Sequence, residues 1–340
     1  MKTAIAILTF LLFNHILFSQ SVVRNQVALD SIITLAKNTA ARRDSINWKR
    51  LEPKLDSVHQ EAGIAEAGKL LLKELNDFHG RIWVNQVPYN GIIHPWKTST
   101  MVFDSLILDQ YRNNRIQVIG KLLFGKYGYI QVPGLLMSQA DSLHARQIRQ
   151  AIIDIAEKHH PEGWIVDLRL NGGGTMYPML TGLSDFYGDT KVGAFADRVT
   201  GLQQDWILKN SDLYFGEWQA TDYHLSSQSQ GLRLDTVPVV VLISAATSSS
   251  GELTAITFKN RPKTRFMGEE TAGYTTTVSW QPVAENIVIQ LTVSYYADRM
   301  GNMYEGTSVI PDEYLEGGDN FYDLEKDRKV LRAVEWLEGN

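Results

Sequence analysis

Five hydroxyl side chains crowd the run Ser244-Ala245-Ala246-Thr247-Ser248-Ser249-Ser250-Gly251-Glu252, which follows the apolar stretch Val237 to Ile243 and precedes the helical pattern Leu253 to Lys259. This is a strand feeding a serine-loaded helix N-terminus. The unpaired N–H groups and positive dipole end of a helix start stabilise a serine alkoxide, or the oxyanion formed when that serine attacks a carbonyl. The chemistry implied is that of a serine hydrolase, and of a peptidase in particular. Serine and threonine are also preferred N-caps, and Ser-Gly clusters are ordinary loop material, so the run means catalysis only with partners.

A serine hydroxyl is a poor nucleophile until a base takes its proton, and imidazole is the side chain that titrates near neutrality. Of eight histidines, His15 falls in the N-terminal apolar segment, His59 in a helical run, His144, His159 and His160 on or near a charged helix, and His94 and His224 in loop-like stretches. His79, in Asn76-Asp77-Phe78-His79-Gly80, sits at a helix-to-strand junction among polar neighbours. An acid must orient such an imidazole, and Glu305, in Tyr304-Glu305-Gly306-Thr307-Ser308-Val309-Ile310-Pro311-Asp312, is the candidate. Asp312, after a proline, more plainly fixes a turn. A second loop, Asp167-Leu168-Arg169-Leu170-Asn171-Gly172-Gly173-Gly174, follows the apolar run Gly163 to Val166. Its glycines can turn backbone N–H groups toward an anion, or simply make a tight strand-to-helix turn. No Lys-Ser/Thr follows them and no GxGxxG is present, which argues against a phosphate cradle.

The elements that must hold these loops follow from periodicity. Residues 21 to about 77 carry apolar positions at helical spacing, predicting two or three helices, with Pro53 between runs and Asp44 and Ser45 as caps for the middle one. After His79 come short β-branched and aromatic runs, RIWVNQV, STMVFDSLIL, NRIQVIGKLLF and KYGYIQV, which read as strands. Next stand a helix over 141–159, a strand over 163–168, a helix near 176–186, a mixed stretch over 191–233, the two segments flanking Ser249, a strand at 264–267, the alternating runs TTTVSW and NIVIQLTVSYY, and an amphipathic helix over 323–337. Strands alternating with helices predict an α/β core with parallel pairs.

Composition bounds the setting. The chain has 340 residues, 44% apolar and 21% charged, with a formal charge of −5 and no basic run that could track a phosphate backbone, which excludes nucleic acid as an expected partner. Met1-Lys2 followed by the apolar stretch Ala4 to Phe18, interrupted at Asn14 and His15, resembles a secretory signal peptide, with Ser19-Gln20-Ser21 as a cleavage region. There is no cysteine, hence no lipid-anchoring thiol, disulfide framework or thiolate zinc site, and no HExxH or carboxylate cluster for a metal. The expected protein is soluble and periplasmic or secreted, without cofactor and without a membrane span in its mature form. Nothing in the sequence fixes an oligomeric state.

Taken together, Asp77-Phe78-His79, DLRLNGGG, TSSSGE, GEETAG and YEGTSVIPD resemble, in order and spacing, the motifs of the C-terminal-processing (tail-specific) serine peptidase family, whose relatives include the tricorn protease core and the repeats of interphotoreceptor retinoid-binding protein. The resemblance covers roughly Leu75 to Leu315. It implies an α/β fold of the ClpP/crotonase-like spiral type with an N-terminal helical bundle: signal peptide 1–20, bundle 21–78, peptidase core 79–340.

The resemblance also implies roles. Ser249 becomes the nucleophile, His79 the base, Glu305 its orienter, and the N–H groups of Ser250 and Gly173 the oxyanion donors, acting on a peptide or unfolded protein substrate. The tail-specific branch places a catalytic lysine just after a G-E-x-T-x-G segment; here Tyr274 stands there, which favours a Ser–His–Glu arrangement like that of the tricorn core. That branch also inserts a PDZ domain before the glycine loop, for which Arg81 to Phe124 is too short. Ser308 stands where the family tends to carry glycine. A catalytically silent binding module and a serine esterase are the competing readings; the chain lacks the GxSxG elbow of α/β-hydrolases and any SxxK dyad.

Overall fold

The computed structural model describes residues 26–92, 105–113, 117–135, 141–225 and 232–340. The expected signal segment lies outside them. They fall into two compact units: the first takes in the described residues up to Ile92 with Arg198–Thr200 and Val278–Ser294, the second the other described residues.

In the first unit, helices at 26–39, Trp48–Ala62 and Ile64–Glu74 turn Leu29, Ile32, Ala36, Leu55, Leu71 and Leu72 inward. These pack with Ile82, Ile287, Ile289 and Leu291. The last four belong to strands: Arg81–Val84 pairs antiparallel with Val87–Tyr89 on one side and with Ile287–Gln290 on the other. Two details differ from the sequence expectation. Pro53 lies inside the Trp48–Ala62 helix rather than between runs, so that helix lacks the N–H that would reach back to Lys49. The cap is Asn47, whose side chain accepts the Arg50 N–H, and not Asp44 or Ser45, which lie in a short 3₁₀ turn.

The second unit is α/β. Six strands form a sheet in the order Glu313–Tyr314, Thr264–Gly268, Val239–Ile243, Gly163–Asp167, Tyr127–Gln131 and Ile119–Leu123, parallel except for the last pair. The Val239–Ile243 and Gly163–Asp167 strands are buried at every residue because both faces are covered. Alternation divides them: Trp164, Val166, Val239, Val241 and Ile243 face a core shared with the Asp141–His159 and Ser250–Phe258 helices, while Ile165, Val240 and Leu242 face Val330, Ala333 and Leu337 of the Arg328–Leu337 helix. The stretch 191–233 that gave no clear period resolves into antiparallel strands Thr190–Ala196, Gln203–Lys209, Asp212–Phe215 and Trp218–Gln219, with Tyr295–Asp298 beside the first.

The described part of the run STMVFDSLIL forms the helix Ser105–Arg112, not a strand. Leu106 to Leu108 is too short an apolar run for periodicity to choose. Ile107 and Gln110 face inward at helical spacing, and the Tyr111 hydroxyl donates to Leu170 O at 3.0 Å.

Candidate active site

Leu242 and Asp167 are register partners at the carboxyl ends of adjacent parallel strands, so the serine run and the glycine loop start side by side. Ligands of open α/β sheets bind at such strand ends. Polar contacts zip the two loops together: Leu168 N–H to Leu242 O at 2.9 Å, Thr247 Oγ1 to Leu168 O at 2.8 Å, Ser244 Oγ to Arg169 O at 2.8 Å, Ser248 N–H to Asn171 O at 2.9 Å, and Ser250 Oγ to Gly174 O at 2.6 Å.

Ser249 caps the buried Ser250–Phe258 helix with φ 52° and ψ −117°. Few residues other than glycine sit at positive φ, and such strain persists only where the surroundings impose it. Glu252 imposes it. This buried carboxylate accepts the Ser249 N–H at 2.8 Å and the Tyr274 N–H at 2.7 Å on one oxygen, and the Thr271 hydroxyl at 2.5 Å and the Gly273 N–H at 2.7 Å on the other. The spacing Ser-x-x-Glu is that of a capping box, a signal present in the sequence but read there only as part of a motif.

Burial pushes the Glu252 carboxyl up to about 7, although the hydrogen bonds from Thr271, Ser249, Gly273 and Tyr274 favour its charged form. Its folded value thus exceeds its unfolded one, so its contribution to stability is full below about 4.5 and is lost as pH rises toward 7. In Glu252→Gln the amide NH₂ would face two of the four donors. We expect a loss of about 2 kcal/mol at pH 7.5. The loss should grow as pH falls from 7 to 4.5, because the parent alone gains stability there; urea unfolding across that range checks both.

Ser250 is the first helical residue, where N–H groups have no intrahelical partner. Gly173 and Gly174 have φ of +98° and +111°. A Cβ on Gly174 would fall 1.8 Å from Leu135 O, and one on Gly173 would fall 2.9 Å from both Ser248 O and Ser249 Cβ. Only glycine fits so close to the serine. The Gly173 N–H donates to Asn171 Oδ1 at 3.0 Å. Gly173→Ala adds both the clash and the strained φ; we expect activity to fall at least 10²-fold, as for loss of an oxyanion donor, measured as kcat/KM on a peptide.

The segment Thr271–Thr275 ties further pieces to this turn. The Thr271 hydroxyl, already on Glu252, accepts the Val309 N–H at 2.8 Å, and the Thr275 hydroxyl donates to Tyr304 O at 3.1 Å and Thr307 O at 2.9 Å. These bonds bracket Glu305, which is exposed in the intervening bend. The second unit thus brings Ser249, Ser250 and Gly173 together, with Glu305 on an adjoining loop.

His79 belongs to the first unit. There the buried Asp77 carboxylate accepts the N–H groups of His79 at 3.2 Å and Gly80 at 2.7 Å, and the N–H and hydroxyl of Thr292 at 2.8 and 2.7 Å. Burial raises the Asp77 carboxyl above its usual value against these bonds. Gln290 Nε2 donates to His79 O at 2.6 Å, so the backbone that carries the imidazole is held on both sides.

Asp167 and Arg169 do not face the serine. They form a buried ion cluster with a partly exposed edge at Glu269: Arg169 meets Asp167 at 2.6 Å, Asp319 at 2.6 Å and Asp327 at 2.7 Å, Lys329 meets Asp319 at 2.9 Å and Glu269 at 2.7 Å, and the Tyr129 hydroxyl donates to Asp167 at 2.8 Å. Sequence reading missed this structural role. Among the described residues no group of His, Cys, Asp and Glu could hold a metal ion, and no helix is long and apolar enough to cross a membrane.

A serine strained at a strand-to-helix turn, with a glycine loop against its Cβ and helix-start N–H groups beside it, can present a hydroxyl and an oxyanion site at one point. The model of peptidase family S41 matches residues 126–315, more than half of the chain, and the chain belongs to that family. It is 29% identical to the nisin-resistance protein of Lactococcus lactis subsp. lactis over 182 residues, covering 54% of this chain and 52% of the relative. It is 22% identical to a carboxy-terminal-processing protease of Bartonella bacilliformis over 205 residues, 59% and 42% of the two chains. The chain thus matches about half the length of these relatives, or less. Among solved structures it resembles a lipoprotein from Streptococcus agalactiae (TM-score 0.65, 18% identity, 93% of this chain and 96% of that one) and the photosystem II D1 C-terminal processing protease (0.60, 16%, 89% and 96%). At these identities the likeness establishes the shared α/β fold.

Proposed function

We propose that the protein is an exported serine peptidase that hydrolyses peptide bonds through Ser249, His79 and Glu305. His79 takes the Ser249 proton as Oγ attacks the scissile carbonyl, then gives it to the leaving amine. Glu305 orients the imidazole. The Ser250 and Gly173 N–H groups hold the oxyanion, Gly173 by turning its N–H from Asn171 Oδ1 toward substrate. Water activated by His79 then releases the acyl-enzyme. Periplasmic or secreted location rests on the Met1 to Phe18 pattern, outside the described residues.

The observation that carries this reading is Ser249 itself, held at φ 52° at the head of a buried helix with Gly173 against its side chain. Family membership supports it. The test is reaction with a fluorophosphonate followed by peptide mapping: the label is expected on Ser249, and His79→Ala should slow labelling. A parent protein that stays unlabelled would favour a silent binding module. Matched peptide and ester substrates separate peptidase from esterase. An unfolded protein and nisin belong on the same panel, the latter because of the relative named for nisin resistance.

A further inference from the structure

Asn171 is fully buried where the glycine loop meets the nucleophile turn, and its carboxamide is engaged at both ends. Oδ1 accepts the Gly173 N–H at 3.0 Å, and Nδ2 donates to Met179 Sδ at 3.4 Å. These partners fix which end is oxygen, because the Gly173 N–H can only donate and the thioether can only accept. A Cβ on Gly251 would fall 2.8 Å from Oδ1, so the helix head closes against the carboxamide.

The loop keeps its course without this side chain. Ser248 N–H donates to Asn171 O at 2.9 Å, Leu135 N–H to Gly173 O at 2.9 Å, Thr175 N–H to Leu135 O at 2.7 Å and Ser250 Oγ to Gly174 O at 2.6 Å. Main-chain atoms and one hydroxyl thus pin the backbone on both sides of Gly173. The Asn171 oxygen is added at the one N–H that an oxyanion would need.

We propose that Asn171 is a positioning residue acting through Gly173: its neutral oxygen keeps the Gly173 N–H satisfied in the free protein and yields it only to an oxyanion. The proposal rests on the reading of Ser249 as nucleophile and Gly173 as oxyanion donor.

A buried N–H with no acceptor carries a desolvation penalty, so an empty oxyanion donor is costly before substrate arrives. The carboxamide oxygen removes that cost. It is neutral, as is the carbonyl of a bound peptide, so substrate in its ground state gains nothing by displacing it. Once Ser249 Oγ adds to the carbonyl, the π pair moves onto the substrate oxygen, the serine proton passes to the base, and the acceptor carries a negative charge. Hydrogen bonds to an ionised acceptor are about twice as strong as neutral ones, so the N–H then changes partner. Asn171 keeps its own protons throughout. Stabilisation confined to the tetrahedral state raises kcat rather than lowering KM. An aspartate at 171 has the same shape and the opposite consequence: its carboxylate would grip the Gly173 N–H and repel an oxyanion forming beside it.

Fluorophosphonate labelling of Ser249 reads the site without peptide recognition, because the phosphonyl oxygen takes the oxyanion position. In the full chain at pH 8 we expect Asn171→Asp to slow labelling at least about 10²-fold and Asn171→Ala about 3- to 10-fold, with kcat on a peptide following and KM little changed. A carboxamide that only braced the fold gives the reverse order, since aspartate keeps the shape and the acceptor that alanine deletes. The Asn171→Asp deficit should shrink as pH falls from 8 to 5, because the protonated acid again offers a neutral oxygen to Gly173 and a donor to Met179. Met179 and Gly251, which face residue 171, carry no charge, and Glu252 and the base titrate in parent and variant alike, so the ratio of the two rates isolates residue 171. This pH series also decides the matter if Asn171→Ala proves unstable. Parental labelling in Asn171→Asp, slower labelling in Asn171→Ala than in Asn171→Asp, or a ratio flat with pH would overturn the role of Asn171 and leave the nucleophile standing. A parent protein without label on Ser249 would overturn both.

Discussion

Ser249→Ala is expected to lower peptide turnover by about 10⁴- to 10⁶-fold, the loss seen when a triad nucleophile is removed. Binding and oxyanion donors remain, so the residue of activity should exceed the uncatalysed rate. The variant should stay folded. Its backbone N–H still reaches Glu252, which holds the turn, and the strand and helix on either side are buried independently of the hydroxyl. Steady-state kinetics on a peptide, with thermal melting as control, decide the point. Parental turnover in a folded Ser249→Ala protein would remove Ser249 from the chemistry and return attention to Ser248 and Ser250, the neighbours one register away.

The second large effect is on stability. Arg169→Met should cost about 3–5 kcal/mol, because removing one partner of a buried ion pair leaves its carboxylates without compensation. Asp167, Asp319 and Asp327 all lean on this guanidinium. Burial alone would raise the Asp319 carboxyl, but Arg169 and Lys329 outweigh burial and hold it below its usual value. Its contribution is therefore present above the unfolded value and lost as pH falls through the lower folded one. In the variant the balance shifts toward burial, so protonation should relieve it. Urea unfolding between pH 7 and 5 should show the deficit shrinking as pH falls. A deficit under about 1 kcal/mol at pH 7 would mean that the cluster does not hold the fold together.

What the sequence made legible was local. The Val237 to Ile243 strand, the serine turn and the following helix could be read because all three signals lie within about twenty consecutive residues. The glycine loop was legible for the same reason, and the contacts of Gly173 with the serine turn explain the residue type. Pairing across the chain was not. Thr292 meeting Asp77 and Asp319 meeting Arg169 are set by tertiary packing over long separations, which periodicity does not encode. Pro53 shows the converse: a local breaker overridden by the packing of Leu51 and Leu55 on the inner face of its helix. Glu305 is legible only through its place in a motif; exposed in a bend, its carboxylate has contacts that composition does not encode.

The Arg169 cluster has a kinetic consequence. Its guanidinium and the Asp319 and Asp327 carboxylates are 150 and 158 residues apart in the chain, so they meet only after a long loop has closed. Contacts of such high order form after the folding barrier unless they belong to its nucleus. Weakening them should therefore steepen escape from the native state more than it delays arrival there. In stopped-flow denaturant jumps, Arg169→Met would raise the unfolding limb while leaving the refolding limb near that of the parent, making this cluster a latch on lifetime rather than a guide to folding.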